Sequence, residues 1–290
     1  MSRQPLRVAI AEVERTLAAA GVASPRVDAE LLAAHVLGAH RSTLPMIPLV
    51  DPDVVTRLQA LAARRATREP LQHILGTAVL GPVEVAVGPG VFIPRPETEL
   101  LLEWGLGAVR DVRRPVVLDL CTGSGALALA FAVSRPDAEV HALEADPAAL
   151  SWTRRNLDAH VRAGGRPVTL HVADVRWPDL LVELEAGVDL VVCNPPYVPD
   201  GTPVPPEVEH WDPPGAVFGG PDGTEIIQAV VRGATGWLRH GGWLAIEHDD
   251  THAESVPALL RRRRTLAEVT EHRDLSGRPR FVTARRVPSH

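Results

Sequence analysis

From Val116 onward, short apolar runs alternate with helical segments, and no other feature limits the possible folds of this chain as strongly. Val116 to Leu120, Glu139 to Leu143, Thr169 to Ala173, Val188 to Cys193 and Trp243 to Glu247 read as strands. Gly125 to Val133 and Pro147 to His160 read as helices between them. Strands alternating with helices predict a parallel sheet covered on both faces. In such sheets ligands bind beyond the C-terminal strand ends, so the residues on which each strand stops carry the functional information.

Four consecutive strand ends are polar. The first runs into Asp119-Leu120-Cys121-Thr122-Gly123-Ser124-Gly125, where glycines let a ligand approach the backbone. Gly123, Gly125 and Ala128 satisfy a loose G-x-G-x-x-A pattern, which alone would equally fit a dinucleotide. Glu144 ends the second strand, where a carboxylate can accept both hydrogen bonds of a ribose diol, or can be an ordinary surface residue. Asp174 ends the third, either to bond an adenine amino group or to cap the turn. The fourth stops at Asn194-Pro195-Pro196-Tyr197: the prolines forbid further ladder bonding and hold Asn194 extended, with its amide at the mouth of the sheet. That amide offers one acceptor oxygen and two donors, suited to gripping another planar amide or amino group. As a bare dipeptide, Asn-Pro is a turn signal.

The N-terminal region follows a different pattern. Ile10, Val13, Leu17 and Ala20 have helical spacing before Gly21. Ser24-Pro25 and Asp51-Pro52 are start signals for two more helices, with Ala29, Leu32 and Val36 on one and Val54, Leu58, Leu61 and Ala62 on the other. A small helical bundle over residues 1–75 is predicted. Val79, Leu80, Val83, Val85 and Val87 between glycine and proline breakers predict a hairpin joining two domains over 76–95. A helix is expected from Leu100 to Val109, and the weak strand runs from Glu268 to Arg286 predict an edge hairpin. Arg261 to Arg264 read as the solvated end of a helix.

The 290 residues are 45% hydrophobic, ample for a core, and the net charge of -6 gives no basic excess for gripping a nucleic-acid backbone. No apolar run approaches the roughly 18 residues of a membrane span, and the N-terminus lacks a signal-peptide core, so a cytoplasmic location is expected. Cys121 and Cys193 are too few for a disulfide framework or zinc cluster, and His73, His171 and His210 show no ligand spacing, so no metal is assigned.

Asp119 to Gly125, Glu144, Asp174 and Asn194 to Tyr197 together resemble an S-adenosylmethionine-dependent methyltransferase acting on planar nitrogens. Arg68-Glu69-Pro70-Leu71-Gln72-His73-Ile74-Leu75-Gly76, Phe92 to Glu99 (with Pro94-Arg95-Pro96-Glu97-Thr98) and Gly219-Gly220-Pro221-Asp222-Gly223 narrow the resemblance to the HemK/PrmC family. Those enzymes methylate the glutamine of the Gly-Gly-Gln motif in peptide-chain release factors. The resemblance spans nearly the whole chain. It implies an α/β fold: a Rossmann-like class I methyltransferase domain over 96–290 behind a small N-terminal helical bundle domain that selects the substrate. It further implies S-adenosyl-L-methionine as methyl donor, S-adenosyl-L-homocysteine as product, and class 1 release factors as protein substrate, with no membrane and no direct nucleic-acid partner. Carried over by position, Cys121, Thr122, Gly123, Ser124 and Gly125, entered from Asp119, pass the methionine end of the cofactor. Glu144 holds its ribose, Asp174 and Val175 line its remaining part together with Asn194, and Asn194, Pro195, Pro196 and Tyr197 hold the target glutamine. The chain departs from the family at Cys121, where Gly is common, at Val175, where an aromatic residue is common, and at Asp249-Asp250-Thr251-His252.

A glutamine amide nitrogen is a poor nucleophile because its lone pair is delocalised. Acceptance of its N–H bonds by the Asn194 side-chain oxygen and the Pro195 carbonyl would orient it for in-line transfer, while Tyr197 would pack on the amide plane. Alternatives are a glutamine methyltransferase of a ribosomal protein, an adenine-N6 nucleic-acid methyltransferase presenting the same planar NH2, and a scaffold that keeps the fold without catalysis. A nicotinamide dehydrogenase would use the glycine loop alone and leave Asn194 unexplained. The nine prolines from Pro195 to Pro221 predict a stiff loop after the site.

Overall fold

The computed structural model describes residues 3–288. They form two compact units: the described residues up to Thr77 together with Pro205–Trp211, and Ala78–Val204 together with the described residues from Asp212 onward.

In the helical unit, β1 (Gln4–Pro5) leads into α1 (Leu6–Ala19), followed by α2 (Pro25–Leu37), β2 (Leu49–Val50), α3 (Pro52–Ala66) and α4 (Leu71–Leu75). β1 and β2 pair antiparallel. Leu6, Ile10, Val13 and Leu17 recur at helical spacing and are buried against Leu32, Leu58 and Ala62. Pro25 and Pro52 open their helices as the sequence predicts, but neither Ser24 nor Asp51 caps through its side chain. The Asp51 carboxylate is instead taken by Arg3, 2.8 Å away. Gly38 ends α2 at φ +60°, a left-handed conformation open to glycine. The α3 face includes a charge the apolar spacing did not disclose: Arg65 is buried, its Nε donating to Asp28 Oδ2 at 2.8 Å and its Nη2 to Glu207 Oε1 at 3.0 Å. Glu207 lies on α8 (Pro206–Trp211), and Arg68 grips the same carboxylate in a two-pronged contact of 2.7 and 2.6 Å.

The second unit begins at Ala78, within the hairpin of β3 (Thr77–Leu80) and β4 (Val83–Ala86). Leu80 and Val85 sink into the same core as Leu101 and Phe131, so the hairpin is part of this unit's packing. Then come α5 (Thr98–Ala108), β5 (Val116–Leu120), α6 (Ala126–Ser134), β6 (Glu139–Glu144), α7 (Pro147–Arg162), β7 (Thr169–Val172) and β8 (Val188–Cys193). After α9 (Pro214–Val217) follow α10 (Glu225–Trp237), β9 (Leu238–Glu247), α11 (Ser255–Arg261), β10 (Leu266–Arg273) and β11 (Pro279–Arg286).

These strands form one seven-stranded sheet in the order β10-β11-β9-β8-β5-β6-β7. β9, β8, β5, β6 and β7 are parallel, and β11 runs antiparallel to both its neighbours. The sheet is therefore mixed where the alternation alone predicts a parallel one. A tight turn at Asp274, whose carboxylate accepts from the backbone of Ser276 and Arg278, sends the chain straight back, which only antiparallel strands permit. Val117, Leu190 and Val192 face one apolar layer, and Leu118, Leu120, Val191 and Cys193 the other, as period-two alternation requires. From β5 the chain goes outward through β6 and β7 and returns to place β8 on the other side of β5. This reversal opens the crevice used by ligands in sheets of this kind.

Candidate active site

The register places the functional residues in one row. Ile246 pairs with Cys193, Cys193 with Leu120, and Leu120 with Leu143. One residue further along, Glu247, Asn194, Cys121 and Glu144 stand side by side at the strand ends. Beyond them lies a cleft of about 390 Å³ lined on one side by Cys121 to Ser124, Glu144, Asp174 and Val175 and on the other by Asn194, Pro196, Phe92 and Thr98. Among the sequence-predicted residues, Pro195, Tyr197 and Gly125 do not line it. Pro195 is buried behind the surface, and Tyr197 turns its hydroxyl to Glu247 Oε1 at 3.4 Å. Burial pushes the Tyr197 phenol up, so that hydroxyl keeps its proton.

The glycine loop is shaped from both sides. Asp119 is 1% exposed, and its Oδ2 accepts from Thr122 Oγ1 at 2.5 Å and from the Ala128 N–H at 3.1 Å, tying the loop to the start of α6. Burial pushes this carboxyl up to about 7. Gly123 and Gly125 take φ of +57° and +81°. Cys121 shares the left-handed conformation at φ +56°, a position that suits the Gly common in the family and that Cys occupies at a conformational cost. The loop carbonyls are held by α7, Thr153 Oγ1 donating to Gly123 at 2.6 Å and Asn156 Nδ2 to Ser124 at 2.8 Å.

Glu144 Oε1 accepts from the N–H groups of Ala145 and Asp146, both at 2.9 Å, while Oε2 accepts only from Gly123 N–H at 2.8 Å. A carboxylate has roughly four lone-pair sites, so Oε2 can accept another donor from the cleft. Burial raises the Glu144 carboxyl, against the three backbone donors. Asp174 is engaged more fully than its strand-end position suggests. Arg176 binds it through Nε and Nη2, the latter at 2.6 Å, and also reaches Glu225. The Arg176 bonds hold Asp174 below the usual carboxylate range. Arg176 lines the cleft and was not singled out from the sequence, although its spacing of two from Asp174 is the available signal.

At the other end, Asn194 Nδ2 donates to Thr98 Oγ1 at 3.2 Å, and Thr98 Oγ1 donates to Glu247 Oε2 at 2.8 Å. Asn194 Oδ1 takes no hydrogen bond from the described residues and is the end of the amide left for a ligand. Burial pushes Glu247 up to about 7.

The tetrapeptide itself is held by segments whose role the sequence pattern does not reveal. A Cβ at Gly219 would lie 2.4 Å from the Pro196 carbonyl oxygen, and one at Gly223 would lie 2.2 Å from that of Tyr197. Only glycine lets this second segment lie so close. The departing segment Asp249 to His252 serves the structure of the site. Asp249 caps the turn through Thr251 N–H at 3.0 Å, and His252 Nε2 bonds the Tyr197 carbonyl at 2.9 Å. Arg95 of the Phe92 to Glu99 stretch pairs with buried Asp212 and lies 4.6 Å over the Phe92 ring.

Residues 9–76 match the family model for the PrmC N-terminal domain, and residues 95–205 match that for the methyltransferase small domain. Over 282 residues the chain is 52% identical to the release factor glutamine methyltransferase of Mycolicibacterium smegmatis, covering 97% of this chain and 98% of that one. It is 47% identical over 285 residues to the protein of the same name from Mycobacterium tuberculosis, covering 97% and 91%. Among solved structures, the T. thermophilus 16S rRNA N2 G1207 methyltransferase in complex with AdoMet and guanosine superposes with a TM-score of 0.51 at 24% identity, over 72% of this chain and 49% of that one. That similarity speaks to the fold alone. The near-complete alignment at about half identity, together with the helical-domain match, means that the chain belongs to the release factor glutamine methyltransferase family.

Proposed function

We propose that the protein transfers a methyl group from S-adenosyl-L-methionine to the side-chain amide nitrogen of the glutamine in the Gly-Gly-Gln motif of class 1 peptide-chain release factors. The observation that carries this reading is the Asn194 amide, held through its Nδ2 by Thr98, on the wall of the same cleft that the glycine loop and Glu144 line.

The residues at the first end fit the cofactor. The left-handed Gly123 leaves open space where a side chain would project, Glu144 Oε2 retains acceptor capacity for a ribose hydroxyl, and the cleft falls within the roughly 300–1,000 Å³ usual for small-molecule sites. Bound there, S-adenosylmethionine supplies a methyl group on a positively charged sulfur. Cys121 to Gly125 would border its methionine end, and Asp174 and Val175 its opposite end. The Asp174–Arg176 pair leaves the adenine amino group less of the Asp174 carboxylate than the sequence suggested.

At the second end, Asn194 Oδ1 accepts an N–H bond from the target amide, holds the nitrogen in line and stabilises the positive charge that grows on it, with Pro195 behind it fixing the strand end. As the N–CH3 bond forms, the methyl–sulfur bond would break with its electron pair left on sulfur, giving S-adenosyl-L-homocysteine, and the nitrogen would give up one proton to solvent. Pro196 walls the amide, while Tyr197 braces the site through Glu247. The helical unit is assigned to choosing the protein substrate, because the amide-gripping residues suit any planar NH2. A cytoplasmic site of action accords with a substrate from translation, and no helix of the described residues is long and apolar enough to cross a membrane.

Incubation with labelled S-adenosylmethionine and separate acceptors tests the reading: a release factor, its Gln-to-Ala variant at Gly-Gly-Gln, ribosomal proteins and DNA. Label on the first alone is expected. Label on ribosomal protein or DNA, or none on any acceptor, overturns it.

A further inference from the structure

Two residues outside every motif role assigned above converge on Asn194. Thr98 is the first residue of α5 and is 4% exposed; Glu247 ends β9 beside Asn194 and is 3% exposed. We infer that Thr98 and Glu247 are positioning residues: the Glu247 carboxylate, acting through the Thr98 hydroxyl, sets which end of the Asn194 amide faces the substrate. The inference rests on the proposed amide-methylating function and concerns how its selectivity for an N–H donor arises.

The direction follows from donor counting. A threonine hydroxyl has one proton, and an ionised carboxylate can only accept. Thr98 therefore spends its proton on Glu247 Oε2 at 2.8 Å and can only accept from Asn194, which must offer Nδ2, at 3.2 Å. Oδ1 is then left for the substrate. The reversed amide would set two N–H donors against a substrate NH2 that also donates, and would repel the nitrogen it has to hold. Tyr197 binds the second carboxylate oxygen at 3.4 Å, so Glu247 braces two residues of the Asn194 to Tyr197 stretch at once.

Ionisation of Glu247 thereby becomes part of the positioning. A protonated Glu247 can donate to Thr98, Thr98 can then donate onward, and Asn194 is free to turn Oδ1 away from the cleft. The groups facing Glu247 are Glu97 ahead of α5, which opposes its ionisation, Arg280 on β11, which favours it, and Tyr197; His248 and Asp249 follow on its own segment. Burial outweighs Arg280 and leaves the carboxyl at about 7. Methyl transfer should accordingly rise with pH through that value, whereas the substrate amide itself does not titrate there.

The test measures label transfer to a release factor by full-length wild type, Glu247→Gln, Thr98→Val and Thr98→Ser, with cofactor affinity and melting temperature recorded for each. Failure of the wild type to label the release factor would strike at the proposed function; the present inference is judged from variants of a wild type that labels it. Gln can either accept or donate, and Val can do neither, so both should lower kcat on the order of tenfold or more while KM and cofactor affinity stay within about twofold. Thr98→Ser should restore most of the loss, and the rise through about pH 7 should be absent in Glu247→Gln. The inference is overturned if either variant keeps the wild-type kcat, if Thr98→Ser is no better than Thr98→Val, or if Glu247→Gln keeps the wild-type pH profile.

Discussion

In the helical unit, the buried carboxylate of Asp28 and the partly buried one of Glu207 both meet the guanidinium of Arg65, and Glu207 meets Arg68 as well. In the methyltransferase unit, Asp119 and Glu247 are buried more deeply still and meet hydroxyl groups instead, with one backbone N–H added at Asp119. The pKa values follow burial and partners together. Burial works to raise Glu207, yet the arginine bonds win and hold it down at about 2; burial wins at Asp119 and Glu247, which rise to about 7. Paired charge serves as a fastening, while a carboxyl left without a cation keeps a proton equilibrium near neutrality that can bear on a reaction.

The sharpest way to break this contrast is to remove a fastening. Arg65→Ala leaves the buried Asp28 carboxylate without its cation, while Glu207 keeps Arg68, and should lower stability by about 3–5 kcal/mol, read as a fall in melting temperature, with cofactor affinity unchanged below the transition. If Arg65→Ala melts like wild type, the network is ornamental. Next, Asn194→Ala removes the acceptor at the amide end and should lower methyl transfer by roughly a hundredfold or more with little change in melting temperature or cofactor binding. Unchanged turnover in that variant contradicts the amide clamp. A smaller effect is expected from Asp119→Ala, which strands the Thr122 hydroxyl and the Ala128 N–H: about 1–3 kcal/mol of stability, together with weaker cofactor binding measured by calorimetry.

The most gradual effect concerns pH and has opposite sign in the two units. Glu207 is depressed, so its contribution is present above the ordinary value of 4.5 and is lost as pH falls toward about 2. Asp119 and Glu247 are raised, so theirs is present at low pH and is lost as pH climbs through about 7. Denaturant titrations between pH 5 and 8 should show stability declining by at most about 1.4 kcal/mol per pH unit for each group, with a shallower slope in Glu247→Gln. A slope unaffected by that substitution would refute the assignment.

The strand alternation and the polar strand ends were legible because both are local: period-two burial and proline sterics act over a few residues. The rule that selected Glu144, Asp174 and Asn194 also applies to Glu247 at the end of the next parallel strand, where the polar ending passed unremarked. Thr98 could not be recognised in this way, since its contact with Glu247 spans 149 positions. It stood within the Phe92 to Glu99 stretch that carries the resemblance, ahead of the helix expected from Leu100, and it is in fact the first residue of that helix. At Asp174, both options of the sequence reading stay in play: it lines the cleft and accepts from the Arg176 N–H at the turn, while the Arg176 guanidinium two residues away shares the carboxylate that strand position alone offered to a ligand. The amphipathic face of α3 is buried as expected, and the buried Arg65 escaped notice beside it because its partners come from α2 and from a segment far along the chain.

Gly219 and Gly223 bear on how this site can change. Prolines stiffen the Asn194 to Tyr197 seat from within, and the two glycines let a later stretch of chain lie against its outer side with no room for a single methyl group. The seat is thus written twice, in two places far apart in the sequence, and neither copy can be edited alone. A side chain introduced at Gly219 would be transmitted to Pro196 as displacement, and from there to the neighbouring amide that has to meet the substrate. Variation in what the enzyme accepts is consequently steered away from this corner and toward the walls that surround it.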